Sequence, residues 1–418
     1  MPSIARALRH RNFRLFLTGQ FFALIGYWMQ SVAQGWLLYR VTGSTTLLGL
    51  LGFASSLPVI VIAPLAGLWS DRWNRHRAMF VIQVLEMVQA ILMAGLALSG
   101  LLEPWHVIAL AMMLGVLVAI ELPLRSTYLL ELVGDRNDLP NAIAVTSLMA
   151  NSGRLVGPAL AGLTIAAFGE AFCFLLNALS FVAVIVSFVM IRVVAQPSTA
   201  EPSAVLRGLH EGLRYAWHAL PIRLLLGLLM VMGLLAAPYQ TLMPALVKSV
   251  FGGDSDQMGY FVAASGLGGV LGTLFLASRA NVRGLLRIIA AAALAAGGAL
   301  ALLAWSRSVW FALPLLMVIG FGLLVTSVSV NMILQTIVDD DKRGRVMSLY
   351  TVAFLGMSPF GSLIAGAVAD RIGIAFTLTA GGLCCAVAAV YLHSRREDIR
   401  AEVGPIYDKL GIAKGVKR

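Results

Sequence analysis

Glu121 and Arg125 stand four residues apart in the segment Glu121-Leu122-Pro123-Leu124-Arg125, deep inside an otherwise apolar run. On a helix that spacing puts both on one face, where they can pair. Ionisable groups at membrane depth are costly and mark functional positions. A carboxyl there can take up and release a proton, so Glu121 is the leading proton-carrier candidate. Arg125 is its tuning partner or a contact for a substrate anion; a static structural pair is the alternative. Glu86, flanked by Gln83 and Gln89 on nearby faces, is the rival carrier, and could instead serve helix pairing. Tyr27, Gln30 and Gln34 fall at i, i+3 and i+7, and Asn331 and Gln335 at i, i+4. With Trp28, Trp36 and Tyr239 they can line a cavity of aromatic walls and a few polar groups. Each alone reads as an interhelical hydrogen bond before it reads as a ligand contact. Arg154, also within an apolar run, should face a partner or a cavity.

The elements that position these residues follow from hydropathy. The chain has 418 residues, 59% hydrophobic and 12% charged, against roughly 25% charged in soluble domains. Twelve apolar stretches, near 15–39, 46–69, 78–99, 105–132, 142–166, 171–193, 222–247, 257–280, 285–305, 309–337, 344–369 and 373–393, each have about the 20 residues that cross a bilayer. In lipid the backbone must satisfy itself, which selects helices. The expected fold is an all-α polytopic membrane protein of twelve transmembrane helices.

Most of the 31 Lys and Arg residues fall in alternate loops and both termini. The exceptions are Arg40, Lys248, Arg307 and Arg371 on the other side, with Arg125 and Arg154 inside the spans. The positive-inside rule then places both termini in the cytoplasm. The net charge of +11 is spread over short loops and is no nucleic-acid footprint. Cys173, Cys384 and Cys385 lie within apolar segments, and no metal-binding spacing or phosphate-binding loop is readable.

The second half repeats the first. At an offset of 204, Asp135 falls on Asp339, Gly157 on Gly361, Gly162 on Gly366 and Gly169 on Gly373; at 209, Arg14-Leu15-Phe16-Leu17 falls on Arg223-Leu224-Leu225-Leu226. Two parallel six-helix halves with a central site are a standard transporter architecture. Glu121 and Arg125 fall on Val325 and Ser329, so the fold does not need the pair. The division is 1–193 for the first half, 194–221 for a linker, 222–393 for the second half and 394–418 for a basic tail. Within the linker, Leu206, Leu209, Leu213, Trp217 and Leu220 oppose Arg207, His210, Glu211, Arg214 and His218, an amphipathic helix for the membrane surface.

Two motifs carry a family resemblance. The loop Gly67-Leu68-Trp69-Ser70-Asp71-Arg72-Trp73-Asn74-Arg75-His76-Arg77 resembles the loop signature of the major facilitator superfamily, at Gly67, Asp71, Arg72, Arg75 and Arg77, with His76 in a usually basic position. The segment Gly153-Arg154-Leu155-Val156-Gly157-Pro158-Ala159-Leu160-Ala161-Gly162 resembles the glycine–proline element of the exporter branches. The run Asn12-Phe13-Arg14-Leu15-Phe16, the stretch Trp28 to Trp36 and the Leu139-Pro140-Asn141-Ala142 turn are similar to the enterobactin-exporter-like branch, near the macrolide-efflux proteins.

The resemblance implies two pseudo-symmetric six-helix halves rocking about a central site. It further implies a conformational gate at the Gly67–Arg77 loop, with Asp71 answering the start of helix 11, and a packing interface at Gly153, Gly157, Pro158 and Gly162. Asp339-Asp340-Asp341 is expected to cap helix 11. The expected activity is proton-coupled export of an amphipathic small molecule, a drug or siderophore, by a monomer in a prokaryotic inner membrane. No cofactor other than the proton gradient, no metal and no nucleic acid is expected. A lysophospholipid flippase and a facilitative or uptake transporter of the same fold are alternatives. A membrane-embedded enzyme or a sensor is disfavoured, because no nucleophile–base pair is visible.

Overall fold

A computed structural model describes residues 6–70, 73–135, 137–192, 214–279 and 282–409. Among them, twelve long helical elements follow one another: α1 (Arg11–Thr42), α2 (Thr45–Ser70), α3 (Arg75–Leu98), α4 (Pro104–Val133), α5 (Leu139–Phe168), α6 (Glu170–Met190), α7 (220–249), α8 (Ser255–Ala277), α9 (Leu285–Leu303), α10 (Val309–Ile337), α11 (340–372) and α12 (Ile374–Ser394). A further helix, α13 (Arg396–Lys409), closes the described chain. Ten of these elements carry stretches long and apolar enough to cross a bilayer. The other two, α1 and α5, are 32 and 30 residues long, and polar side chains dilute their apolar content. Lipid-facing stripes are plain on α6, where Leu176, Leu179, Val182, Val186 and Val189 are exposed at helical spacing. The predicted amphipathic linker helix lies mostly outside the described residues; its end, 214–218, is helical.

By contacts the chain divides into Met1–Pro202 with Gly253–Ala263, and Ser203–Gly252 with Ala264–Arg418. In the first unit α1 packs on α5 and α6, α2 on α4, and α3 on α4 and α6. In the second, α9 packs on α10 and α12, while α7 meets α11 and α12.

The internal repeat is visible in backbone geometry. Gly169 and Gly373, 204 apart, sit at the α5–α6 and α11–α12 junctions with φ of 84° and 87° and ψ of 171° and 156°. That region is open to glycine alone. The helix crossings repeat too. A Cβ on Gly157 would press on the Ile25 carbonyl and Trp28 of α1, and a Cβ on Gly361 would press on the Leu234 carbonyl and Pro238 of α7. Ile25 and Leu234 are 209 apart. The two halves differ at two helices: α1 and α5 are continuous, whereas α7 passes through a π turn at Met232–Ala236 and a 3-10 turn at Ala237–Gln240, and α11 through a π turn at Val352–Gly356.

Candidate functional site

Three helices of the first half bring the polar residues together. Gln20 comes from α1, Gln83 and Glu86 from α3, and Glu121 and Arg125 from α4. Arg125 donates to Glu121 Oε1 at 2.5 Å and to Gln20 Oε1 at 3.1 Å. Gln20 donates to Gln83 Oε1 at 3.2 Å. The Gln83 amide then donates to Glu121 Oε1 at 3.0 Å and to Glu86 Oε2 at 3.1 Å. Arg125, Gln20, Gln83 and Glu121 thus form a closed ring, and Glu86 hangs from it by one oxygen. Its other oxygen, Oε1, is buried without a hydrogen-bond partner, as is Arg125 Nε. Buried polar groups are rarely left so.

A cavity of about 170 Å³ opens on this ring, lined by Gln20, Tyr27, Gln83, Glu86, Glu121 and Arg125, with Asn177 and Phe181 from α6. Leu24, Leu114, Val118 and Leu122 supply apolar wall. Farther along the same helices runs a second amide chain: Asn177 donates to Gln30 at 2.8 Å, Gln30 to Gln89 at 3.0 Å, and Gln89 to the Leu110 carbonyl at 3.1 Å. A separate apolar groove of about 430 Å³ lies between α1 and α5, lined by Leu17, Phe21, Phe22, Val145, Leu148 and Met149.

An aromatic plug and an ion pair fix these helices at one end. Tyr128 stacks on Phe188 at 5.8 Å and meets Phe16 edge-on at 6.0 Å, and its hydroxyl lies 2.7 Å from His76 Nδ1. Arg75 donates to Glu131 at 2.6 Å and so binds α3 to α4. Asn74 caps α3 by accepting from the Arg77 amide at 3.0 Å. Of the remaining gate residues, Gly67 lies in α2, and Asp71 and Arg72 fall outside the described residues.

The other expected site residues are dispersed. Tyr27 reaches the cavity, but Gln30 is fully buried in its amide chain, and Gln34 is buried with Nε2 unpartnered. Arg154 is exposed on α5, with its guanidinium 5.3 Å from the centre of the Trp28 ring. Tyr239 is buried in the second half, bonded to Ser265 and approached by Gln240 at 3.4 Å. Gln335 donates to Asn331 at 2.6 Å. The glycine–proline element splits its contacts: Gly153 and Gly157 lie against Leu24 and Trp28 of α1, and Gly162 lies against Ser255 and Gly259 of α8. Asp339 stands at the N-cap of α11 but makes no capping bond. It accepts instead from the Tyr215 hydroxyl at 3.3 Å, which ties it to the segment ahead of α7, and from Lys342 of its own helix at 3.4 Å.

Gln20 and Asn177 complete the two polar chains, and sequence reading passed over both. The signal was present: each is a primary amide in mid-span, where an unpaired amide is expensive. The tail also holds more than basic charge. In α13, Ile399, Val403 and Tyr407 are buried at helical spacing, Asp408 accepts from Arg283, and burial pushes the Tyr407 hydroxyl up to about 12.

Two repeated sets of six helices, the first holding a buried polar cluster, are the plan of the major facilitator fold, and the proteins that this chain matches are transporters, not enzymes. Residues 3–402 match the family described as Transmembrane secretion effector, MFS_3, and the chain belongs to it. It is 25% identical to the Staphyloferrin A transporter of Staphylococcus aureus (strain NCTC 8325 / PS 47), over 93% of this chain and 98% of that one. It is 27% identical to the Multidrug efflux pump Tap of Mycolicibacterium fortuitum, over 88% and 92%. In fold it is similar to the inward-facing structure of a bacterial homologue of the human lysosomal transporter Spinster, with TM-score 0.70, 12% identity, and coverage of 96% and 98%.

Proposed function

We propose that the protein exports amphipathic small molecules from the cytoplasm by exchange for protons, with Glu86 as the proton carrier. The observation that carries this reading is the charge count of the ring. Two carboxyls share the cavity with one guanidinium, and Arg125 is committed to Glu121. Among the described residues Glu86 has no cation of its own, and one of its oxygens has no donor. A carboxyl so placed is held by a proton or by an arriving positive charge. Sequence alone ranked Glu121 first; the geometry favours Glu86, with Glu121 and Arg125 sensing its charge through Gln83. The efflux activity in the name of the Tap relative supports the direction.

Export then proceeds by alternating access between the pseudo-symmetric halves. The protein works as a monomer in a prokaryotic inner membrane, with both termini cytoplasmic, as the distribution of Lys and Arg supports. The Gly67–Arg77 loop acts as a gate on the cytoplasmic side, and the glycine–proline element as a rocking contact. A proton entering down the membrane potential supplies about 2.3 kcal/mol per 100 mV when the substrate leaving carries no charge, and the pH difference contributes whatever the substrate's charge.

The test is transport in proteoliposomes under an imposed pH gradient, with a panel of lipophilic dyes and siderophores. Wild type should move a substrate uphill, and Glu86→Gln should move it only downhill. Glu121→Gln should retain part of the coupling. Transport that ignores the gradient in all three proteins would remove the proton mechanism.

A further inference from the structure

We infer that the group recognised in the first-half cavity is a monovalent organic cation, which takes the place of the proton at Glu86, so that exchange is electrically silent. This rests on the proposed proton-coupled export and narrows it to a substrate class. Four observations converge on it. The cavity holds an excess of carboxyl over guanidinium. Its only lining guanidinium among the described residues gives Nη2 to Glu121 and Gln20, and its charge is already balanced by the Glu121 carboxylate. Glu86 Oε1 is buried and unpartnered. Finally, two aromatic rings, Tyr27 and Phe181, line the same space, and aromatic faces attract cations.

The groups facing Glu86 are Gln83 on its own helix, Glu121 and Arg125 from α4, and Tyr27 and Gln20 from α1. Arg154 of α5 is exposed over Trp28 and does not line the cavity. At about 170 Å³ the cavity is smaller than the roughly 300–1,000 Å³ of whole-ligand pockets. It therefore takes a charged head group and leaves the apolar body outside. A proton and a monovalent cation competing for one carboxyl carry the same charge in opposite directions. The cycle then moves no net charge, so a pH difference drives it and a voltage does not.

Three probes of one shape separate the possibilities: N-methyl-4-phenylpyridinium, neutral 4-phenylpyridine and anionic 4-phenylbenzoate. In proteoliposomes, with empty liposomes as the blank, the cation should accumulate under a pH gradient. Its initial rate should be unchanged when a potassium–valinomycin potential of either sign is added. Glu86→Gln should lower the uphill rate at least tenfold with an unchanged melting temperature, and Glu86→Asp should keep it. Calorimetric titration in buffers of different ionisation enthalpy should show protons released as the cation binds. Uphill movement of 4-phenylbenzoate, or cation movement driven by voltage alone, would overturn the cation assignment while leaving proton-coupled export standing. Absence of cation binding would overturn it as well. If every probe that moves ignores the pH gradient, the export reading itself falls.

Discussion

The two halves share a backbone plan and diverge in what fills it. Gly157 and Gly361 make the same crossing, and Gly169 and Gly373 the same junction. Yet the first half has Glu121 and Arg125 where the second has Val325 and Ser329, both fully buried. Crossings and junctions are what a repeat must keep to fold. A buried ion pair present in only one copy is not required for that purpose, so its retention needs another cause. The second half is correspondingly plain: Tyr239–Ser265 and Thr241–Ser362 are neutral hydroxyl pairs, and Thr326 and Ser329 are buried with no partner for their hydroxyls.

The sharpest way to break this comparison is to make the halves alike. Glu121→Val with Arg125→Ser installs the second half's residues in the first. Val and Ser are smaller than the residues they replace and leave Gln20 Oε1 without its donor, so the thermal midpoint should fall modestly while the protein still folds. Gradient-driven transport should drop to the level of empty liposomes. A double variant that transports normally would show that the Glu121–Arg125 pair is only structural.

Next in size is the single change. Arg125→Ala leaves Glu121 buried without its cation, which should cost about 3 kcal/mol, discounted somewhat because Arg125 is 28% exposed. Its counterpart, Ser329→Ala, removes a buried hydroxyl that has no partner and should be neutral or slightly stabilising. Denaturant or thermal unfolding of both in the same detergent would measure the asymmetry. Equal losses would contradict it.

The repeated crossings should instead respond alike. Gly157→Leu and Gly361→Leu each force a side chain onto a facing backbone carbonyl, and such overpacking costs about 1–3 kcal/mol. The two thermal midpoints should fall by similar amounts. A drop at one site only would mean that the geometric repeat is not an energetic one.

These pairs also mark what could be read from sequence. Hydropathy and Lys and Arg placement depend on single residues against a bilayer of known thickness, so the twelve spans and their order were legible. The repeat was legible because glycine at a crossing or a positive-φ junction leaves a fixed spacing. The ring was legible only in part. The i, i+4 pairing of Glu121 and Arg125 is set by one helix, but Gln20 and Gln83 join it through rotations of α1 and α3 that no local spacing encodes. Gln30 shows the opposite failure: its face was right, but Gln89 and Asn177, 59 and 147 residues away, claim it from two other helices.

The smallest effect concerns how each half fastens the segment that leads into it. Ahead of α1, Arg9 donates to Asp138 at 2.6 Å, His10 lies 3.0 Å from the same carboxyl, and the Ala7 amide donates to Asn141 at 2.9 Å. Ahead of α7, the Tyr215 hydroxyl donates to Asp339 at 3.3 Å, a carboxylate that Lys342 of its own helix also meets. Asp138 is 1% exposed and Asp339 is 63% exposed, and exposed pairs contribute little. Asp138→Asn should therefore lower the thermal midpoint more than Asp339→Asn. The hydrogen bond with His10, helped by Arg9 and Arg6, outweighs burial and holds the Asp138 carboxyl below its usual range. A depressed carboxyl stabilises above its unfolded value of about 3.9 and loses that stabilisation as pH falls through the folded one. The gap between wild type and Asp138→Asn should accordingly be flat near neutrality and close only in acid. A gap that instead closes toward alkaline pH would show that the fastening does not depend on the Asp138 charge.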